Sequence, residues 1–360
     1  MEIHQVLVSA SAGDAVTASA FELRALLRRI GPSDIYARYF DPSLQGDVHP
    51  LSSYARRRRR SRRPAADLLV FHASIGEPEV LSFIRERTER LVLVYHNISP
   101  ASAFLPYDPA FAGLLEGGRR ELEQLRDRAV MAIGVSQYNA DELERMGYRD
   151  VRVAPLVLDL RNLVTQAPDP DTANHLATQV QGPVVLFVGQ LLPHKRPDLL
   201  LKAYHLLVTY SLPEAHVVLV GAGRLPRYRQ ALQLFAQELN LRAWIAGAVT
   251  PAQLVAFFRR ADVFVTASEH EGFCVPLVES MAFGVPVIAR SHGAIPETMG
   301  DAGVLLPPED DPALMAEAMA AVLGDPALRQ ELVVRGHHRL AAFDADEARA
   351  AVLRHLVDVA

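Results

Sequence analysis

Short apolar runs alternate with helix-period segments along the whole chain. In the first half the runs Ile3–Ser9, Ile35–Phe40, Asp67–Ala73, Leu91–Asn97, Met131–Ser136 and Val151–Leu156 read as strands. Helical periodicity lies between several of them, over Thr17–Ile30, Leu114–Arg126 and Tyr138–Met146. The strands are nearly all apolar and do not alternate, as expected where both faces of a parallel sheet are covered. After a polar, proline-bearing stretch (Gln166-Ala-Pro-Asp-Pro-Asp-Thr172) the theme repeats. Strands are predicted at Val184–Gly189, His216–Gly221, Ala243–Gly247, Asp262–Ala267, Val285–Arg290 and Val304–Leu306. Helices are predicted at Asp198–Tyr210, Tyr228–Leu239, Pro251–Arg260, Val275–Phe283, Pro312–Leu323, Ala327–Phe343 and Ala345–Val359. Repeated strand–helix units imply α/β architecture: two doubly wound, Rossmann-like parallel sheets facing a central cleft. The expected domains are 1–160 and 183–340, with a linker over 161–182 and a C-terminal helix over 341–360 packing back on the first domain.

Composition narrows the class. The chain has 360 residues, of which 50% are hydrophobic and 22% charged, values of a water-soluble globular protein. The first residues, Met1-Glu-Ile-His-Gln-Val6, lack the basic and apolar regions of a signal peptide. No apolar run approaches the roughly 18–20 residues that cross a bilayer. Cys274 is the single cysteine, which excludes an internal disulfide and a cysteine-based zinc site. A cytoplasmic protein is expected, with peripheral contact at the inner membrane face as the alternative. That alternative rests on Arg56–Arg63, seven arginines in eight positions within a chain of net charge −5. The run reads either as a solvated face or as a basic patch for anionic lipid or an anionic acceptor. Nucleic acid is not expected, because the rest of the chain is acidic and no aromatic stacking pattern accompanies the arginines.

The most informative chemistry is Glu271-Gly-Phe-Cys-Val-Pro-Leu-Val-Glu279, two carboxylates eight residues apart across a strand-to-helix turn. Pro276 near the first helical position and Gly284 after the last fix the helix bounds. The free N–H groups at such a helix start attract anions. Glu279 would then hold a ribose hydroxyl while Glu271 faces a group beyond the phosphates, an arrangement that suits a sugar nucleotide. Gly189-Gln190-Leu-Leu-Pro-His-Lys195-Arg196 follows the first strand of the second half. It reads as a diphosphate loop, in which Lys195 is a point charge and Arg196 can bind with two parallel hydrogen bonds, or as a surface turn that begins a helix. Val220-Gly221-Ala-Gly-Arg224 lacks the third glycine of the dinucleotide fingerprint, which argues against NAD. Ala246-Gly-Ala-Val249-Thr-Pro251 suits a nucleobase, although Thr250 is equally a helix cap. His72 and His96 end strands of the first half. His72 is as well placed for the core as for a site, whereas His96 precedes an exposed apolar loop and reads as a substrate contact. Gly13-Asp14 lies in the first strand-to-helix loop, where Asp14 binds ligand or caps the helix. Asp169-Pro-Asp171 has the form of a metal-binding pair but lies in the expected linker, so no metal is expected.

Together these residues resemble the GT-B-fold retaining glycosyltransferases known as family 4, over nearly the whole chain and most strongly over Val184–Leu306. Glu271 and Glu279 match that family's E-x7-E motif within Ser268-Glu-His-Glu-Gly-Phe-Cys-Val-Pro-Leu-Val-Glu-Ser-Met-Ala-Phe-Gly-Val-Pro-Val287. The resemblance implies transfer of a hexosyl group, mannosyl among the candidates, from GDP-mannose or a UDP-hexose to a saccharide or lipid-linked hydroxyl. It implies retention at the anomeric carbon and no metal or other cofactor. By resemblance Glu279 binds ribose, Glu271 the donor sugar, and Lys195 the diphosphate. The backbone of Phe273, Cys274, Val275, Pro276 and Leu277 assists, Val249 lies near the base, and His96 near the sugar and acceptor. Gly13, Asp14, Gly189, Gln190, Arg196 and Gly221 complete the expected donor site. Two departures stand out: Gln190 where the family carries arginine, so that one phosphate cation is either missing or replaced by Arg196, and Cys274 where it carries glycine. A GT-B-like sugar-nucleotide epimerase and a non-catalytic sugar-nucleotide-binding subunit are the alternatives.

Overall fold

The computed structural model describes residues 1–57 and 67–359. Arg58 to Arg63 therefore lie outside the described residues, and with them most of the basic run; Arg56 and Arg57 are exposed. The chain forms two compact units, Met1–Leu158 with Phe343–Ala360, and Asp159–Ala342.

The first unit holds strands β1 (Ile3–Ala10), β2 (Ile35–Phe40), β3 (Val48–Pro50), β4 (Leu68–Ala73), β5 (Arg90–Tyr95), β6 (Ala129–Gly134) and β7 (Val151–Val153). They pair in parallel in the order β3-β2-β1-β4-β5-β6-β7. The central strands are apolar throughout because both faces are covered: every residue of β4 is buried. The strand β3 and the helix Pro78–Arg85 were not expected. The helix carries local start signals, a Glu77 cap and Pro78 in its first turn.

The second unit holds β8 (Val184–Val188), β9 (His216–Val220), β10 (Ala243–Gly247), β11 (Val263–Thr266), β12 (Val287–Arg290) and β13 (Gly303–Leu306), all parallel in the order β10-β9-β8-β11-β12-β13. Its core gathers Leu186, Val218, Phe257, Phe258, Phe264 and Met281. Phe258 stacks on Phe283 with ring centroids 5.0 Å apart. Burial of each such side chain stabilises by roughly 2–3 kcal/mol before entropy is counted.

The stretch 161–182 is not a structureless linker. It carries the helices Leu160–Thr165 and Pro170–Gln179, and Leu176 is buried in the second core. Asp169, the first acid of the D-x-D form, accepts from the Thr172 N–H at 2.8 Å as the helix cap. The last helix, Ala345–Asp358, belongs to the first unit, where Arg349 pairs with Glu22 at 3.0 Å and Asp358 with Arg152 at 2.6 Å. No helix among the described residues is long and apolar enough to cross a membrane.

Candidate functional site

In the second sheet the strand order reverses between β8 and β11, and ligands of open α/β sheets bind outside the carboxyl ends of strands at such a point. The loops leaving these two strands carry the expected chemistry. Lys195 Nζ lies 2.7 Å from Glu271 Oε2, and both side chains are largely buried. Backbone contacts fix the pair: Glu269 N–H donates to the His194 carbonyl at 2.8 Å, and Ala294 N–H to that of Glu271 at 2.9 Å. Gly293 has φ +57°, and a Cβ there would come within 2.3 Å of the Glu271 carbonyl oxygen. A side chain at Gly221 would approach the Gly189 carbonyl oxygen to 1.9 Å. Gly221, an expected ligand glycine, is thus needed first for loop-on-loop packing.

The helix Val275–Ala282 begins four residues after Glu271, with Pro276 in its first turn and no side-chain cap. Its N-cap is Cys274, held at φ +72°, a conformation natural to glycine. The departure from the family pattern therefore puts a Cβ into a left-handed turn. Of the expected amide donors, Pro276 has no N–H and Leu277 gives its own to the Cys274 carbonyl at 3.1 Å. Cys274 and Val275 remain as candidates, with Phe273 preceding them. The Cys274 thiol is buried, and burial together with the Glu271 carboxylate pushes it well above the usual thiol range. It is no nucleophile. Glu279 lies farther along this helix, half-buried at the residue level, and burial of its carboxyl raises its pKa to about 7.

Arg196 departs from expectation. Its backbone is left-handed (φ +51°), and its guanidinium binds Asp198 at 3.2 Å, Asp310 at 2.7 Å and also Glu269. Arg290 completes this cluster through Asp310 at 2.7 Å. Ion pairs to Asp198, Glu269 and Asp310 occupy the Arg196 guanidinium, so it does not stand in for the arginine missing at the exposed Gln190. His194 and His270, both buried, were not singled out by the sequence. Burial, then Lys195 and His270, lower the His194 pKa to about 2, which keeps the ring beside Lys195 neutral. Val249 is half-buried against the second core, and Thr250 caps the next helix in a reciprocal capping box.

In the first unit Asp14 caps the helix Ala15–Leu27, accepting from the Thr17 N–H at 2.9 Å and hydroxyl at 3.0 Å. Its carboxylate is committed to that cap, which removes the direct reason for a ligand role; Gly13 beside it is exposed with φ +78°. His72 is 1% exposed and so takes the core position, yet its Nδ1 lies 2.9 Å from Nε2 of His96. Burial lowers the His96 pKa to about 3, so the half-buried ring is neutral. No group of three or more metal-ligating side chains occurs among the described residues.

Residues 170–339 match the model of the family described as glycosyl transferases group 1. A D-inositol 3-phosphate glycosyltransferase of Xylanimonas cellulosilytica is 28% identical over 244 residues, 64% of this chain and 57% of that protein. A GDP-mannose-dependent monoacylated alpha-(1-6)-phosphatidylinositol monomannoside mannosyltransferase of Corynebacterium glutamicum is 24% identical over 64% of this chain and 62% of its own. The chain thus spans less than two thirds of the length of these relatives. Anabaena HepE, solved in complex with UDP-glucose, is similar in fold with TM-score 0.76 at 18% identity, over 98% of this chain and 99% of that one. Residues 170–339 thus form a domain that matches the glycosyl transferases group 1 family, within a chain whose two Rossmann-like units have the GT-B fold.

Proposed function

We propose that the chain is a glycosyltransferase that moves a hexosyl group from a nucleotide-diphosphate sugar to a hydroxyl of a saccharide or lipid-linked acceptor. The observation that carries this reading is the buried Lys195–Glu271 pair, 2.7 Å apart, at the start of the helix Val275–Ala282. When a diphosphate arrives, Lys195 turns from Glu271 to the phosphates, and the freed carboxylate accepts from sugar hydroxyls. Charge that develops on the leaving diphosphate is met by Lys195 and by the helix start, fixed donors that lower the barrier electrostatically. Glu279 takes the ribose hydroxyls and His96 a hydroxyl of the saccharide.

Retention at the anomeric carbon follows from front-face displacement, in which the acceptor hydroxyl approaches beside the leaving group and passes its proton to a phosphate oxygen. Two similarities bear on the donor. HepE is a UDP-glucose complex, and the corynebacterial relative is GDP-mannose-dependent. The donor is accordingly a UDP-hexose or GDP-mannose.

A donor panel with nucleotide release as readout tests the activity. Glu271→Ala should lower turnover roughly 100-fold with the circular dichroism spectrum unchanged. Undiminished turnover would reject the role given to Glu271. A covalent glycosyl-enzyme trapped on Glu271 would replace the front-face mechanism.

A further inference from the structure

A chain of buried polar groups crosses the first sheet where its strand order reverses, between β1 and β4, and reaches β5. Gln5 on β1 is 0% exposed and His72 on β4 is 1% exposed. The Gln5 side-chain amide donates from Nε2 to the Ala20 carbonyl at 3.1 Å. A carbonyl can only accept, so this contact fixes which end of the amide is nitrogen. Gln5 Oε1 is then the atom 2.8 Å from His72 Nε2, and His72 Nδ1 is 2.9 Å from His96 Nε2. The two imidazoles lie nearly parallel, with planes 23° apart.

Each link dictates the polarity of the next. Gln5 Oε1 needs a donor, so the His72 proton sits on Nε2. His72 Nδ1 is then a lone pair, and His96 must donate to it from Nε2. A neutral imidazole carries one N–H, so the other nitrogen of His96, Nδ1, is left as an acceptor. The reverse assignment would set lone pair against lone pair at Gln5, in surroundings where Leu23, Leu26, Val94, Ile133 and Val135 line the space around His72. Gln5 and His72 are both fully buried there, and a buried unsatisfied contact costs about 1–3 kcal/mol. Among the described residues His96 Nδ1 takes no protein partner. The chain just after the ring is held as well: Asn97, at φ +78°, donates from Nδ2 to Asn139 Oδ1 at 2.6 Å.

We propose that Gln5 and His72 are positioning residues that lock His96 as its Nε2–H tautomer, so that His96 Nδ1 accepts a hydrogen bond from a ligand hydroxyl and disfavours an anionic oxygen. The ligand group met here is a donor, a sugar or acceptor hydroxyl, and not a phosphate; this clause rests on the function proposed above, whereas the tautomer itself does not. Gln5 is thereby a determinant of specificity without touching the ligand.

The test reads the tautomer directly, by 15N NMR of the histidine rings in the full chain at neutral pH, with His96 assigned by difference from His96→Gln. The wild type should give a pyridine-like Nδ1 and a protonated Nε2. In Gln5→Met, of similar volume but without the amide, the two forms of His96 should mix. Its kcat/KM for transfer should fall roughly tenfold or more, with UDP and GDP affinity unchanged. A protonated Nδ1 or an imidazolium in the wild type overturns the proposal, and so does an unaltered tautomer in Gln5→Met. Absence of turnover with every donor would count against the proposed function alone, and the spectra would still decide the tautomer.

Discussion

At the scale of single residues, two environments set measurable chemistry. Glu279 titrates near 7 in the folded chain against about 4.5 for a free glutamate, because burial disfavours its charge. Between those values the folded state holds the proton and the unfolded state has lost it, so stability falls as pH rises from about 4.5 through 7. The loss is roughly 3 kcal/mol. Glu279→Gln should remove it: denaturation midpoints of variant and wild type should coincide near pH 4.5, with the variant higher at pH 8. Ribose hydroxyls that donate to Glu279 favour its charged form, so nucleotide binding near pH 6 should release protons, seen as calorimetric heats that change with buffer. Cys274 is the second case. Its thiol should alkylate far more slowly in the native protein than after unfolding. Cys274→Val, which puts a branched Cβ at φ +72°, should lower stability by at least about 1–2 kcal/mol. The carboxylate pair was legible in the sequence because both acids flank one short turn. Capture of Arg196 by Glu269 and Asp310 was not, since those acids come from distant loops and only the fold brings them together.

At the scale of elements, local signals located most strands and helices. Apolar runs bounded by glycine marked β8, β9 and β10, and proline with a capping residue marked Pro251–Arg260. The same kind of signal stands at 161–182, where Asp169 and Pro170 open a helix, but there the density of proline and aspartate reads as linker. The packing of loop on loop was not legible either, because a lone G-x-G looks alike wherever it occurs. That packing makes a firm prediction. Gly221→Ala places a Cβ 1.9 Å from the Gly189 carbonyl oxygen and forces backbone to move. Thermal denaturation should show a loss of roughly 3 kcal/mol or more, with nucleotide affinity falling as the Lys195 loop shifts. A variant as stable as wild type would show that the two loops are not in such contact.

At the scale of the whole molecule, the two units hold different candidate groups. The second unit holds the expected donor groups other than Gly13 and Asp14, and the first holds the Gln5–His72–His96 chain. Hydrogen exchange with UDP or GDP bound should therefore gain protection at the ends of β8, β10 and β11 and at the start of Val275–Ala282, without matching gains around β4 and β5. The fold class was readable because every strand–helix unit repeats one pattern; the Gln5–His72–His96 chain was not, because its residues lie on β1, on β4 and just after β5. The central claim is that a nucleotide diphosphate docks beside Lys195 at the start of Val275–Ala282, and calorimetric titration of UDP and GDP into wild type and Lys195→Ala tests it most directly. The account predicts saturable binding of at least one nucleotide to the wild type, weakened tenfold or more in the variant; equal affinity in both proteins, or no binding of either nucleotide to the wild type, would contradict it.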